Sequence, residues 1–346
     1  MEKTNRFFSI GKIKHKFLNN ILKDFVSDFE NKDKRIILGS KIGEDAAVID
    51  MGDIYLVAKT DPITFATDEI GYYSVIVNVN DVVCTGATPK WFQSTILLPE
   101  KKTNEELIEE IFKSIHDTCD SLDISVIGGH TEVTVGIDRP IVIGSLLGEV
   151  EKGKLVKSSG VLPNDALILT KGIFIEGTSI IGREKEDLLL QKGYNKDFID
   201  KCKNYLFNPG ISIFNEALLA NKNFKINAMH DPTEGGLSTG IVEMTIASNK
   251  GVLVEKEKIL ILPEPLELSK VFHLNPMGTI SSGSLLISIN HEYALDLVEF
   301  LKKEKVTAEI IGKFTADNQK NVIIDKEGIK KPFFYSEIDE ITKIFN

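Results

Sequence analysis

Apolar positions at Ile13, Phe17, Ile21, Leu22, Phe25 and Phe29 recur at helical spacing and predict an amphipathic helix over 13–30. Three short runs rich in Ile and Val follow, at 35–38, 46–49 and 54–58. Gly and Asp separate them, so they read as strands. Residues 70–85 are mixed. Val75, Val79, Val82 and Val83 keep helical spacing despite their β-branching, and Gly86 stands where a C-capping glycine would. A strand is expected at 91–98. Asn104 then caps a helix with Glu105 and Glu106 in its first turn and apolar positions from Leu107 to Thr118. Strands at 124–127 and 140–149 complete the first half.

Residues 151–163 are polar, with Gly and Lys, and mark the expected boundary between a domain at 1–156 and a second at 157–346. The second half predicts strands at 166–170, 227–230, 284–289 and 309–314. Helices are expected near 177–183, 197–206, 211–220, 237–248 and 293–302. Strands and helices without strict βαβ alternation imply an α+β fold.

Composition narrows the class. With 346 residues, a net charge of −10 and basic residues scattered rather than striped, a broad nucleic-acid surface is not expected. The three cysteines, Cys84, Cys119 and Cys202, lack CxxC spacing, which fits a reducing compartment and gives no zinc signal. No signal-peptide pattern or long apolar span is present, so the expectation is a cytoplasmic protein without membrane partners.

Five acidic segments at the edges of apolar runs carry the candidate chemistry. Asp45, in Gly43-Glu44-Asp45, reads as a turn residue or as a metal ligand at a strand entrance. Asp61, in Lys59-Thr60-Asp61-Pro62, falls at a strand exit if Pro62 stops the pairing; Lys59 reads as solvated or as a phosphate contact. Asn78 and Asp81 lie three apart on one helix face, amid residues that are poor helix formers unless they bind something. Gly128-Gly129-His130-Thr131-Glu132 reads as a glycine turn or an anion nest. His230-Asp231-Pro232-Thr233-Glu234-Gly235-Gly236 offers Asp231 to a metal and His230 or Glu234 as a base, or else a helix-capping turn. Lys171-Gly172, before a helix start, is a weaker phosphate candidate. Carboxylates gathered at one place need a cation. A set with few His or Cys points to Mg²⁺, which commonly comes with substrate phosphates.

In order, residues 43–48, 60–61, 78–89, 128–133, 171–178 and 230–237 resemble the aminoimidazole ribonucleotide (AIR) synthase superfamily, also called PurM-like. Its members include HypE, thiamine monophosphate kinase, selenophosphate synthetase and a formylglycinamidine synthase. The texture is nearest the HypE and AIR-synthase-related branch, through Asn80-Asp81, Glu176-Gly177-Thr178 and Asp231–Gly236. The resemblance runs from Ile10-Gly11-Lys12 to Ile311-Gly312. It implies an N-terminal α/β domain whose sheet pairs in a homodimer, followed by a C-terminal α+β domain. It also implies ATP and Mg²⁺ as cofactors. Asp45, Asp61, Asp81 and Asp231 would share the metals. Lys59, Thr60, Asn78, Gly129, His130, Thr131, Glu132 and Lys171 would lie near the nucleotide, with His230 and Glu234 as the catalytic pair. The implied chemistry is phosphoryl transfer to, or activation of, an amide-type or related oxygen of a small molecule.

Three departures qualify that picture. HypE proteins end in a cysteine, whereas the last cysteine here is Cys202. His130 stands where HypE commonly has Asp, and the stretch corresponding to a HypE acidic residue before glycine reads Asn275-Pro276-Met277 and then Ser281-Ser282-Gly283. The leading expectation is therefore an ATP-dependent enzyme acting on a separate small molecule. A HypE-type maturation factor using another thiol, with a maturation partner protein, is the alternative. A non-catalytic nucleotide-binding assembly protein is a third.

Overall fold

The computed structural model describes residues 13, 15–26, 32–39, 41, 43–64, 68–335 and 338–345. The N-terminal half is a six-stranded sheet in the order β1-β2-β3-β6-β4-β5. Its strands are β1 (Ile36–Leu38), β2 (Ala47–Asp50), β3 (Ile54–Ile63), β4 (Thr88–Pro99), β5 (Ser125–Thr134) and β6 (Ile141–Glu151). All neighbours are antiparallel except β4 and β5. The first helix, α1 (His15–Phe25), is shorter than expected, and Phe29 lies outside the described residues. So does the Ile10-Gly11-Lys12 start of the resemblance.

Helix α2 (Ile70–Cys84) is buried along almost its whole length. It packs on β3, β4 and β6, on α3 (Glu105–Ser121), and on α7 (Phe214–Asn223) and β8 (Ala228–His230) of the second half. This explains its composition: β-branched residues weaken an isolated helix, and burial on every face overrides that preference. Asn104 caps α3 as predicted, accepting from the Leu107 N–H at 2.9 Å.

Two strands are longer than their sequence suggests. β3 continues through Lys59-Thr60-Asp61-Pro62 to Ile63, correcting the expectation that Pro62 ends it. The reason is topological. β2 pairs only with residues 55–58, so beyond Ala58 one side of β3 is an edge among the described residues, where a missing N–H costs little. Likewise Gly128–Glu132 is not a loop after a strand but the middle of edge strand β5. A Cβ at Gly129 would come to 2.1 Å of the Ser94 carbonyl, so glycine is what lets β5 approach β4 there.

The C-terminal half is a seven-stranded sheet in the order β13-β12-β9-β11-β7-β10-β8. Its remaining strands are β7 (Asp165–Thr170), β9 (Gly251–Glu255), β10 (Leu286–Asn290), β11 (Ala308–Thr315), β12 (Asn321–Ile324) and β13 (Lys330–Pro332). Six further helices surround it: α4 (Ile175–Glu184), α5 (Glu186–Gln191), α6 (Lys196–Asn204), α8 (Gly236–Ser248), α9 (Pro263–Val271) and α10 (Ala294–Lys303). β9, β12, β13, α5 and α9 were not read from the sequence; they are short and weakly patterned. The α+β class holds. One apolar core crosses from Val48, Val79 and Val82 to Ile168, Met229 and Ile287, so the two sheets share an interior. No described helix is long and apolar enough to cross a membrane.

Candidate active site

The shared interior opens on one polar cluster. Asp45 precedes β2, Lys59 and Asp61 lie on β3, Asp81 and Cys84 on α2, His230 and Asp231 at the end of β8, and Glu243 on α8. The Gly43 turn that presents Asp45 lies against α8. A Cβ on Gly43, whose φ is +83°, would stand 2.8 Å from the Glu243 carbonyl, so a side chain is excluded both sterically and by backbone conformation. Lys59 Nζ lies 2.9 Å from Asp81 Oδ2 and 3.4 Å from Asp61 Oδ2. His230 bridges two carboxylates, Nδ1 at 3.0 Å from Asp45 Oδ2 and Nε2 at 3.0 Å from Glu243 Oε2. The Cys84 thiol donates to Asp231 Oδ1 at 3.8 Å. Asp231 Oδ2 is buried and meets no hydrogen-bond donor among the described residues.

Five carboxylates here face two cationic side chains, Lys59 and His230. Two like charges ~4 Å apart repel by about 4 kcal/mol at an effective dielectric of ~20, so the deficit is felt in the proton affinities. Burial, opposed by Lys59 and aided by Asp45 and Asp61, pushes the Asp81 carboxyl up to about 7. Asp231 is raised well above the carboxylate range by burial, then by Asp81 and Asp45. Burial opposes charge on His230, but Asp45 and Glu243 outweigh it and raise its pKa well above the ordinary value. Two carboxylates at 3.0 Å each require an N–H, so His230 is an imidazolium with no lone pair free. Lys59 follows the same balance: burial opposes its charge, and Asp81 and Asp61 outweigh burial and raise its pKa.

The other sequence candidates divide. Thr60 Oγ1 donates to the Gly144 carbonyl at 2.8 Å, across to β6. Asn78 is fully buried, with Nδ2 donating to the Ser74 carbonyl at 2.8 Å and Oδ1 finding no partner among the described residues. Asn80 staples the two halves: Nδ2 donates to the Ile211 carbonyl at 2.8 Å, and the Ile213 N–H donates to Oδ1 at 3.0 Å. Lys171 lies apart from the cluster, its ammonium donating to the Gly210 and Ser212 carbonyls and pairing with Glu216 at 2.8 Å. Gly129, His130, Thr131 and Glu132 lie on exposed β5, where His130 Nε2 is 3.2 Å from Glu132 Oε2. The register runs Asp61–Gly144–Ser94–Gly129 straight across the sheet, three strand spacings or roughly 14 Å.

Glu234 acts on a second acidic group. Its charge acts on Glu176 and Asp339, and Asp339 accepts from the Gly235 N–H. Burial pushes the Glu176 carboxyl up to about 7, with Ser282 opposing and Glu234 and Asp339 adding to the rise. An acid whose pKa is higher folded than unfolded loses stability as pH rises between the two values, here from the ordinary 4.5 to about 7. Glu176→Gln is therefore expected to be near neutral at pH ~5 and stabilising at pH ~8, by at most roughly 3 kcal/mol. Urea unfolding at both values checks this; an equal effect at both would refute the buried-acid explanation.

Four neighbours were missed by sequence reasoning. Cys84 is three residues after Asp81 on the same helix face, a signal that was available. Glu243, Glu44 and Ser158 carried none. Glu44 accepts from the backbone N–H groups of Ser158 and Ser159, and Ser158 Oγ lies 3.4 Å from Asp45 Oδ2. All three cysteines are buried, so no described thiol is exposed to carry a substrate group.

Comparison with known proteins agrees with this architecture. Residues 43–150 match the family described as AIR synthase related protein, N-terminal domain, and residues 163–325 match its C-terminal domain. A Methanocaldococcus jannaschii protein assigned by name to hydrogenase expression/formation is 32% identical over 295 residues, 83% of this chain and 84% of that protein. The solved structure of hydrogenase maturation protein HypE in complex with ATP superposes with a TM-score of 0.70 at 19% identity, covering 94% of this chain and 96% of HypE. AaThiL complexed with AMPPCP and TMP gives 0.69 at 17% identity, covering 94% and 99%.

Proposed function

The chain belongs to the AIR synthase related family, and from that premise we propose that it is an ATP- and Mg²⁺-dependent enzyme. On this reading it phosphorylates or otherwise activates an oxygen of a small molecule, of amide or related type. The observation that carries the reading is the convergence of Asp45, Asp61, Asp81 and Asp231 from both halves with more negative charge than Lys59 and His230 offset. The unpartnered Asp231 oxygen and the raised carboxyl of Asp81 fit a site built for a hard divalent cation. Those four aspartates would hold Mg²⁺, which, when bound, neutralises phosphate charge as it develops. Lys59 orients Asp61 and Asp81. His230, with both nitrogens engaged, positions Asp45 rather than acting as a base. Glu234 would serve the second acidic group. The nearby folds solved with ATP and AMPPCP support the nucleotide.

The test is calorimetric titration with ATP, with and without Mg²⁺, followed by phosphate or ADP release across a panel of amides, amines and alcohols. Binding that ignores Mg²⁺ sinks the metal-site reading. Mg²⁺-dependent binding without turnover would favour an assembly protein. We propose the domain division in the polar stretch between β6 and β7, at residues 156/157.

Dimerisation is part of the proposal. β5 is exposed through nearly its whole length, and Val126, Ile127, Val133 and Val135 are open to solvent on or beside it. A long apolar edge strand is an aggregation hazard unless something pairs with it, and a second copy would do so isologously. Gly129, His130, Thr131 and Glu132 would then lie at the subunit boundary beside the nucleotide. Ile127→Lys combined with Val133→Lys is expected to convert dimer to monomer in sedimentation equilibrium and to weaken nucleotide binding in parallel. A wild-type monomer at working concentrations would overturn this part.

The relative named for hydrogenase expression/formation supports a second reading, a maturation step with a partner protein. Burial of Cys84, Cys119 and Cys202 makes a partner's thiol the required acceptor. Mass spectrometry after carbamoylation separates the cases: an adduct on the chain's own cysteines contradicts the partner-thiol version.

A further inference from the structure

Apart from the four aspartates, two polar atoms of neighbouring side chains are buried without a hydrogen-bond partner among the described residues: Glu176 Oε2 and the Tyr73 hydroxyl. They come from opposite halves, Tyr73 from the first turn of α2 and Glu176 from the first turn of α4. Tyr73 is 1% exposed and Glu176 6%. After burial, the charge of Glu176 is the strongest influence on the Tyr73 hydroxyl, yet neither atom bonds the other. Ser179 also acts on the phenol, but its own hydroxyl is engaged: it donates to the Lys203 carbonyl at 3.1 Å and accepts from Arg183 Nε at 3.2 Å. A buried acceptor and a buried hydroxyl left unmet are each costly, and two on one gap point to a group that both can bond. The surroundings are acidic. Burial, Ser282, backbone N–H groups and nearby carboxylates are the largest influences on Glu176 and Asp339, with no cation among them. A metal ion would need several free oxygens at once. Asp339 is already committed: Oδ2 accepts from the Gly235 N–H, and Oδ1 from the Ile341 N–H at 2.7 Å.

We propose that Glu176 and Tyr73 form the recognition site for a primary ammonium group of the small-molecule substrate, with Glu176 Oε2 and the Tyr73 hydroxyl oxygen accepting its N–H groups. This deepens the small-molecule enzyme reading above, and rests on it only in calling the ligand a substrate. The physical ground is donor count and charge. An ammonium carries three N–H donors and no acceptor, which matches two unmet oxygens. Its charge pairs with the Glu176 carboxylate and offsets Glu234 and Asp339, which a water, an alcohol or an amide cannot do. Glu176 costs stability above neutral pH, so its presence is better explained by a ligand than by packing. Tyr73 lies eight residues before Asp81 on α2, roughly 12 Å along the helix axis. The ammonium is then a handle at one end of an extended molecule, and the activated oxygen is at the other end, beside the metal.

The test is calorimetric titration of the full-length protein with butylammonium chloride, against 1-butanol and NaCl at matched concentrations. Wild type should bind butylammonium and neither control. Glu176→Gln keeps the shape and removes the charge, and should weaken butylammonium by at least about tenfold, the scale of one charge-assisted hydrogen bond. Tyr73→Phe removes one neutral acceptor and should weaken it by about threefold. The phenylalanine variant keeps the test decisive if the glutamine variant does not fold. Butanol binding as well as butylammonium, unchanged affinity in either variant, or no butylammonium binding by wild type would overturn the proposal; the two atoms would then only share a buried water. Mg²⁺-dependent ATP binding is measured separately. If it is intact while butylammonium does not bind, only the ammonium site fails. If it is absent while Glu176-dependent ammonium binding is present, the nucleotide reading fails and the ammonium site stands.

Discussion

Asp81→Asn is expected to weaken Mg²⁺-dependent nucleotide binding by about 10–100-fold, the scale of one charge-assisted contact. Asn keeps the shape and one oxygen but removes the charge a divalent ion needs. The fold should survive. Lys59 keeps Asp61 as an ion-pair partner at 3.4 Å, and burial already holds the Asp81 carboxyl up at about 7, so its neutral form is well populated before any substitution. Calorimetry with a non-hydrolysable ATP analogue, alongside a urea melt, separates the two effects. An affinity within threefold or so of wild type would remove Asp81 from the metal site, because a charge-assisted contact to a charged group is worth roughly 1.5–3 kcal/mol. A large loss of both affinity and stability would instead mean that Asp81 serves mainly as the Lys59 counter-ion.

His230→Ala is expected to destabilise the protein by about 3–5 kcal/mol, the usual consequence of removing one member of a buried ion-pair network. Asp45 and Glu243 would then face each other across the vacated ring without the imidazolium that separates them. A divalent cation should restore part of the lost stability in the variant, because it supplies the missing charge. Glu243→Gln should cost less, since His230 keeps Asp45 as partner. Chemical denaturation with and without added Mg²⁺ reads both statements. A loss below ~1 kcal/mol for His230→Ala would show that water, rather than the imidazolium, satisfies Asp45. The two predictions are coupled, because Asp45 adds to the raised pKa of Asp81. Effects of the double variant should therefore fall short of the sum.

Much of this protein was legible in one dimension. The α+β class followed from the spacing of apolar residues, and the main helices and central strands followed from periodicity with caps such as Asn104. Asp45, Asp61, Asp81 and Asp231 were singled out because acidic residues at the ends of apolar runs are exposed to whatever those ends meet. Those readings depend on local chemistry, which a sequence carries directly. Tertiary structure decided what depends on neighbours far along the chain. Pro62 lies inside β3 only because β2 stops short of it. Gly128 and Gly129 became strand because β4 offered them a partner. Lys171 turned to Gly210, Ser212 and Glu216 because packing of the second half placed those groups within its reach. Most of all, nothing local announces that His230 is held by Asp45, 185 positions earlier, and by Glu243, or that Cys84 meets Asp231. Charge and donor type are written in the sequence, but their net balance at a point in space is set by the fold, because Coulomb and coordination forces depend on distance and burial rather than on order along the chain.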